Sequence, residues 1–320
     1  MAHPLGLGGG VTANPASGLF AAPNLLLDNY PGAHRAYSVR KLSKDYTGYA
    51  MKVRVDSSPD RTADVAFDDD GWVSANSKIY NRDPAGDEGI SLQSFMEYDT
   101  EASVQIWYDQ SNEGSNATEI RVGDHTADEP KIYTSGSIVT DVTGGTSRAA
   151  LLFDAGDRLN VSNSGLEHGS LAVFTTSRVV GTTTQIPWFL SYRLGGAGNS
   201  FVGAYYTGGY LYFYYAAALS EAKHLLLNTP GGTLVDKRRL HSYLASTSAQ
   251  SLIENGTTAS DASPSAITDA FVGDATQIGI GSVLGDGHNG KFQEFIVYDS
   301  DQISNNAGIV ADINTVLEVY

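Results

Sequence analysis

The sequence predicts an all-β chain: an antiparallel β-sandwich or jelly roll, with an extended N-terminal arm over residues 1–32 and a helix over 301–318. Three observations predict it. From Ser103 onward, short apolar-rich runs recur between clusters of Gly, Asn and Asp, the rhythm of short strands and turns. These runs do not alternate with helical patterns, which argues against a parallel sheet built from βαβ units. At the C-terminal end Ile303, Ile309, Val310, Ile313, Val316 and Leu317 form one apolar stripe at helical spacing.

Residues 1–32 are rich in Gly, Pro, Ala and Asn and cannot build a core alone. The apolar knot Leu25, Leu26 and Leu27 suggests an arm that docks on a neighbouring subunit. The remainder, 33–320, is read as the sandwich domain. Ala36, Val39, Leu42 and Tyr46 are spaced by threes and fours, which predicts a short helix over 33–46 closed by Gly48. Met51, Val53 and Val55 alternate with Lys52 and Arg54, a strand pattern, and Asp64-Val-Ala-Phe67 reads as its partner. The run Asp68, Asp69, Asp70 with Gly71 reads as a solvated turn; three adjacent acids are also able to hold a calcium ion.

The strands predicted beyond it are 103–109, 116–121, 149–154, 170–177, 186–192, 200–206, 210–215, 223–228, 240–247, 250–255, 268–273, 276–281 and 290–298. Asn255-Gly256 between two of these runs is a hairpin signal. Asp299 and Ser300 offer caps for the closing helix.

Composition narrows the function. The 320 residues carry 35 Gly and no cysteine, with 20 Lys and Arg against 36 Asp and Glu, a formal charge of −16. A surface this acidic repels phosphate backbones and anionic bilayers, so no nucleic-acid partner is expected. No apolar run reaches the ~20 residues a membrane helix needs, so no membrane insertion is expected. The N-terminus lacks a basic segment followed by an apolar one and does not read as a secretory signal. Without cysteine there is no disulfide framework, thiolate metal site or cysteine nucleophile. No two of the seven histidines stand four apart, and the chain has no nucleophile elbow or phosphate loop, so neither a metal nor a cofactor is expected.

Two stretches stand out. Tyr205, Tyr206, Tyr210, Tyr212, Phe213, Tyr214 and Tyr215 flank Gly208-Gly209, a hairpin dense in rings suited to stacking on sugars, to sheet packing or to a subunit interface. Ile106-Trp-Tyr-Asp-Gln-Ser111 ends a strand and enters a turn whose amides Asp109 is placed to accept.

That second stretch, followed by Gly114-Ser-Asn-Ala-Thr118, resembles the YDQSG signature of the arabinofuranosidase B catalytic family. Ala36-Tyr-Ser-Val-Arg-Lys-Leu42, Tyr46-Thr-Gly48 and Val53-Arg54 with Ser57-Ser-Pro-Asp60 are similar to the family's opening segment. Ile278-Gly-Ile-Gly281 and Gly290-Lys-Phe-Gln-Glu-Phe-Ile-Val-Tyr298 resemble its closing strands. The resemblance covers residues 33–318 and implies a concanavalin A-like sandwich. It does not carry the chemistry. Where the family places its nucleophilic Glu, Val202-Gly-Ala-Tyr-Tyr206 has Gly203; where it places its general acid, the chain has Val283, with Asp286 three residues late. The family's adjacent cysteine pair is missing too. The nearest replacement pair is Asp286 with Glu294.

Divergent domains with these motifs resemble virion proteins of tailed bacteriophages. The resemblance therefore implies a non-catalytic virion structural protein, a tail or capsid-surface module. It is expected to be a homo-oligomer, a trimer being one option, tethered to other virion proteins by the N-terminal arm and contacting host-surface glycans. The glycan-binding candidates are Trp107, Asp109, Tyr205, Tyr206, Tyr210 and Tyr212. The alternatives are a glycoside hydrolase acting on arabinose-containing polysaccharide and a free carbohydrate-binding lectin.

Overall fold

A computed structural model describes residues 25–111, 116–119, 129–143, 146–154, 156–162, 170–180, 185–194, 198–207, 210–216, 223–227, 238–246, 250–258, 275–281 and 288–320. The first strands are β1 (Arg35–Ser38), β2 (Met51–Val55), β3 (Ser58–Val65), β4 (Ile79–Asp83), β5 (Ala102–Trp107), β6 (Ala117–Glu119), β7 (Lys131–Thr134) and β8 (Ser137–Ile138). Next come β9 (Thr140–Thr143), β10 (Thr146–Ala149), β11 (Leu151–Phe153), β12 (Arg158–Ser162), β13 (Ser170–Val179), β14 (Gln185–Leu194) and β15 (Gly198–Thr207). The last are β16 (Tyr210–Ala216), β17 (Lys223–Leu227), β18 (Arg238–Ser246), β19 (Gln250–Glu254), β20 (Thr257–Thr258), β21 (Ala275–Gly281) and β22 (Gly290–Tyr298). Helices α1 (Leu26–Asn29), α2 (Leu92–Met96) and α3 (Asn306–Leu317) are short.

All described pairings are antiparallel. One sheet runs β4-β3-β2-β5-β6-β12-β21-β14-β15-β16-β17. The other runs β20-β19-β18-β13-β22, and the far edge of β22 is shared by β1 and β11. β7 joins the two, pairing with both β5 and β11. The β9–β10 hairpin stands apart as its own ladder.

Between the sheets lies the main core, including Tyr37, Val53, Trp107, Trp188, Ile278, Ile280, Phe292 and Phe295. Trp188 meets Phe295 edge-on at 5.8 Å, ring centre to ring centre. A second apolar layer covers the outer side of the β13–β22 sheet, where α1 and α3 bring Leu26, Leu27, Ile309, Ile313 and Leu317 against Phe174, Ile296 and Tyr298. The sandwich predicted from strand rhythm is thus present, with the C-terminal helix packed on it.

Several elements differ from expectation. Residues 35–38 form β1, not a helix. All four are buried, because β1 pairs with β22 and has protein on both faces; Tyr37 belongs to the inner core and Ala36 to the outer layer. Burial on both faces erases the alternation of a half-exposed strand and imitates helical spacing. Leu26 and Leu27 sit in the chain's own outer core, so residues 25–32 belong to the folded body rather than to an arm. The closing helix begins at Asn306, and neither Asp299 nor Ser300 caps it: Asn305 holds the N-cap position and Ile303, half exposed, falls outside the stripe. The predicted strand 268–273 lies outside the described residues.

The Asn255-Gly256 hairpin is present. Both residues have positive φ, 47° and 75°, as a two-residue turn matched to strand twist requires. The Asp68–Gly71 run is a turn in which the Asp68 carboxylate accepts from the amides of Asp70 (3.1 Å) and Trp72 (2.9 Å). That Asx geometry uses Asp68 for the backbone.

Candidate functional site

The motif at 106–111 serves the scaffold first. Trp107 is wholly buried and donates its indole N–H to the Ser38 carbonyl at 3.2 Å. Asp109, 4% exposed, accepts from the amides of Ala36 and Ser111 at 2.9 Å each and from the Ser111 hydroxyl at 2.8 Å. Burial raises the Asp109 carboxyl above its ordinary range, and those amide bonds work against the rise. Gln110 accepts from the Leu42 amide (2.8 Å) and donates to the Arg40 carbonyl (2.9 Å). Together the three side chains clamp residues 36–42 onto the end of β5. Trp107 and Asp109, two of the glycan-binding candidates, are therefore structural: neither presents surface to a glycan.

The residue between them points the other way. Along β3, Ala63 and Val65 face the core, so Asp64 faces outward, paired in register with Lys52 on β2 and Tyr80 on β4. The Asp64 carboxylate is 7% exposed and accepts from the Tyr108 hydroxyl at 2.6 Å and from the Asn81 amide at 2.7 Å. The ring of Tyr49 lies 5.7 Å from Tyr80 and 6.4 Å from Tyr108. Tyr46 flanks the group, donating to the Tyr49 carbonyl at 2.8 Å and meeting Phe67 edge-on. Asn81 holds φ at 48°, a left-handed conformation that costs a non-glycine residue about 1 kcal/mol. In that conformation it donates its side-chain amide to Asp64.

Half-buried tyrosine rings thus surround a nearly buried carboxylate whose two oxygens are both engaged. Burial, reinforced by the Asp64 hydroxyl bond, pushes the Tyr108 phenol well above its ordinary value; burial pushes Tyr46 up to about 12. Both hydroxyls stay protonated and remain donors near neutral pH. Flat apolar rings with polar edges, beside a fixed acceptor and a fixed amide, suit the C–H face and hydroxyls of a sugar.

Sequence reasoning passed over Tyr49, Asp64, Tyr80 and Tyr108. The available signal was parity: with Trp107 assigned to the core, its neighbour Tyr108 must face out.

The tyrosine block is elsewhere. β15 and β16 pair Tyr205 with Tyr212, Tyr206 with Leu211 and Thr207 with Tyr210, as the hairpin reading requires; the structure describes these tyrosines by backbone register only, and Gly208-Gly209 lies outside the described residues. Five strand steps, roughly 24 Å, separate β5 from β15, so the two sets of candidates do not meet.

Gly203 lies mid-strand, opposite Phe189, which in turn faces Gly279. Val283 and Asp286 lie outside the described residues. Glu294 is fully buried, ion-paired with Arg40 and bonded by the Ser38 hydroxyl at 3.1 Å. Among the described residues no group of three or more His, Cys, Asp or Glu side chains is placed to hold a metal.

No protein-family model and no curated protein matches the chain. Solved structures do. An arabinofuranosidase complexed with arabinofuranosyl-alpha-1,2-xylobiose superposes with a TM-score of 0.58 at 13% identity, covering 90% of this chain and 64% of that one. A mutant GH54 α-L-arabinofuranosidase soaked with 4-nitrophenyl α-L-arabinofuranoside gives a TM-score of 0.56 at 15% identity, with the same coverage. The chain therefore spans 64% of the length of these enzymes. At such identity the likeness is one of fold: the chain adopts a β-sandwich similar to theirs.

Proposed function

We propose that the protein is a non-catalytic virion structural protein of a tailed bacteriophage, a tail or capsid-surface module that contacts host-surface glycans. The observation that carries the glycan contact is the patch of Tyr49, Tyr80 and Tyr108 around Asp64. The virion assignment rests on the sequence resemblance. Leu26 and Leu27 are used within the fold, so we place any tether to other virion proteins before Leu25.

The fold likeness to arabinofuranosidases favours one second reading, a glycoside hydrolase. Retaining hydrolysis needs a nucleophile and an acid about 5–5.5 Å apart across the sugar. In the sequence resemblance the nucleophile position falls on Gly203, which has no carboxylate to offer. Hydrolysis of 4-nitrophenyl α-L-arabinofuranoside decides between the readings. No turnover is expected; turnover abolished by Asp286→Asn establishes the hydrolase instead. A glycan array probed with the whole chain tests the contact, and loss of binding in Tyr80→Ala is expected. Antibody labelling of purified particles tests the location, and a particle without the protein overturns the virion assignment.

A further inference from the structure

We infer that the cavity between α1, the Asp68–Trp72 turn and α3 is a second saccharide site, taking an uncharged sugar of one or two rings. The ligand class rests on the glycan-binding reading above; the cavity rests on its own geometry.

Four chain segments are tied together here: α1, residues 40–44, the Asp68–Trp72 turn and α3. The Leu27 amide donates to the Leu42 carbonyl at 2.9 Å and the Lys41 amide to the Gly71 carbonyl at 2.8 Å. The Asn29 side chain donates to Asp312 on α3 at 3.3 Å. Between them is a cavity of about 700 Å³, within the range of small-ligand sites. Leu25, Val316 and the Trp72 indole supply apolar wall. Trp72 is held in place: the Arg148 guanidinium lies over its ring at 4.4 Å, and Asp68 binds its amide. A wall fixed beforehand loses little entropy when a ligand arrives.

The charges select the ligand. Arg40, Lys41 and Lys44 face the cavity with Asp28, Asp69, Asp70 and Asp312, three cations against four carboxylates. Most are already engaged. Arg40, 3% exposed, is paired with the buried Glu294 and lies 3.8 Å from Asp312. Lys44 pairs with Asp45 at 2.8 Å, and Asp28 accepts from the Ser43 hydroxyl at 2.9 Å. So near a balance gives neither a phosphate nor a divalent cation a net field to bind. What the rim offers is carboxylate acceptors at Asp69 and Asp70 beside the Lys41 ammonium, which gives one hydrogen to the Lys44 carbonyl at 3.2 Å and has two more to donate. Hydroxyl groups, each both donor and acceptor, match such a mixed rim, and a sugar's C–H face matches the apolar wall.

The chain contains three tryptophans, and Trp107 and Trp188 are buried in the main core, which makes the Trp72 indole N–H a reporter for this cavity. The test titrates the full chain with methyl glycosides of arabinofuranose, galactose, glucose and N-acetylglucosamine, following indole resonances by NMR and total binding by calorimetry. The Trp72 resonance is expected to shift with at least one glycoside. Thr315→Phe, on the exposed side of α3 at the cavity mouth, is expected to weaken that event at least tenfold, and Tyr80→Ala to leave it unchanged. Binding that Tyr80→Ala removes while Trp72 stays still overturns the cavity site and leaves the tyrosine face standing. A Trp72 shift indifferent to Thr315→Phe also overturns the cavity site. Absence of binding by every glycoside overturns both.

Discussion

At the scale of single residues, His288 is the clearest case of a side chain whose burial sets a measurable property. It is wholly buried, its ring 4.8 Å from Phe292 and 5.9 Å from Phe153. Burial lowers its pKa from 6.5 to about 3. The folded chain therefore keeps His288 neutral where the unfolded chain would protonate it. Its contribution is complete above pH 6.5 and is lost as pH falls towards 3, about 3 kcal/mol of it by pH 4. Urea melts at pH 7 and pH 4 check this: His288→Leu is expected to lose markedly less stability between the two than the parent, and equal losses would show that other groups set the acid limit. The same scale governs Tyr108→Phe. Removing the hydroxyl leaves a nearly buried Asp64 oxygen without its donor, an expected cost of about 1–3 kcal/mol in denaturant melts. Legibility at this scale was uneven. Asp109 as a receiver of turn amides was readable because an Asp after a strand end has few other uses. The partners of Asp64 were not, because Tyr49, Tyr80 and Tyr108 come from three separate segments that only the β4-β3-β2-β5 pairing brings together.

At the scale of elements, the register explains why the β9–β10 hairpin lies where it does. Arg238, Arg178 and Lys291 stand directly opposite one another on β18, β13 and β22. Like charges so placed repel. The hairpin answers them: Asp141, 1% exposed, pairs with Arg178 at 2.6 Å, the Val142 carbonyl accepts from Arg178 at 3.0 Å, and the Thr140 carbonyl accepts from Lys291 at 2.6 Å. Asp141→Asn is expected to cost about 3 kcal/mol, because it leaves the cation row without that carboxylate. Pairing it with Arg178→Gln should recover part of the loss, and a double-mutant cycle in urea measures the coupling; strict additivity would show that the row is not held by Asp141. None of this was visible beforehand. Thr140–Ala149 is short and polar, with too little apolar alternation to register as strands. The reverse error at 33–46 has the related cause already seen: β1 is buried on both faces. β2 reads correctly because Lys52 and Arg54 alternate with Met51, Val53 and Val55 in the sequence itself, even though only Lys52 among them is partly exposed.

At the scale of the whole molecule, the chain is held by two apolar layers, and the outer one depends on the C-terminus. The inner layer joins the sheets; the outer joins the β13–β22 sheet to α1 and α3 through Ile309, Val310, Ile313 and Leu317. Four such side chains contribute about 8 kcal/mol by burial, on the order of a domain's entire net stability. The end of α3 is fixed by the sheet itself. Arg238, buried on β18, donates to the carbonyls of Leu317 and Glu318, and the Asn314 side chain accepts from the amides of Val319 (2.9 Å) and Tyr320 (3.0 Å). A cation on the final carbonyls also meets the negative end of the helix dipole. α1 packs on the same layer, so the outer core gathers the two ends of the described chain on one face. A chain ending at Asn305 is therefore expected to fail to fold cooperatively, exposing Phe174, Ile296 and Tyr298. The milder Ile313→Ala should keep the fold and cost about 2–5 kcal/mol in urea melts. A truncated chain that melts cooperatively at the parent's midpoint would show that the sandwich stands on its inner layer alone.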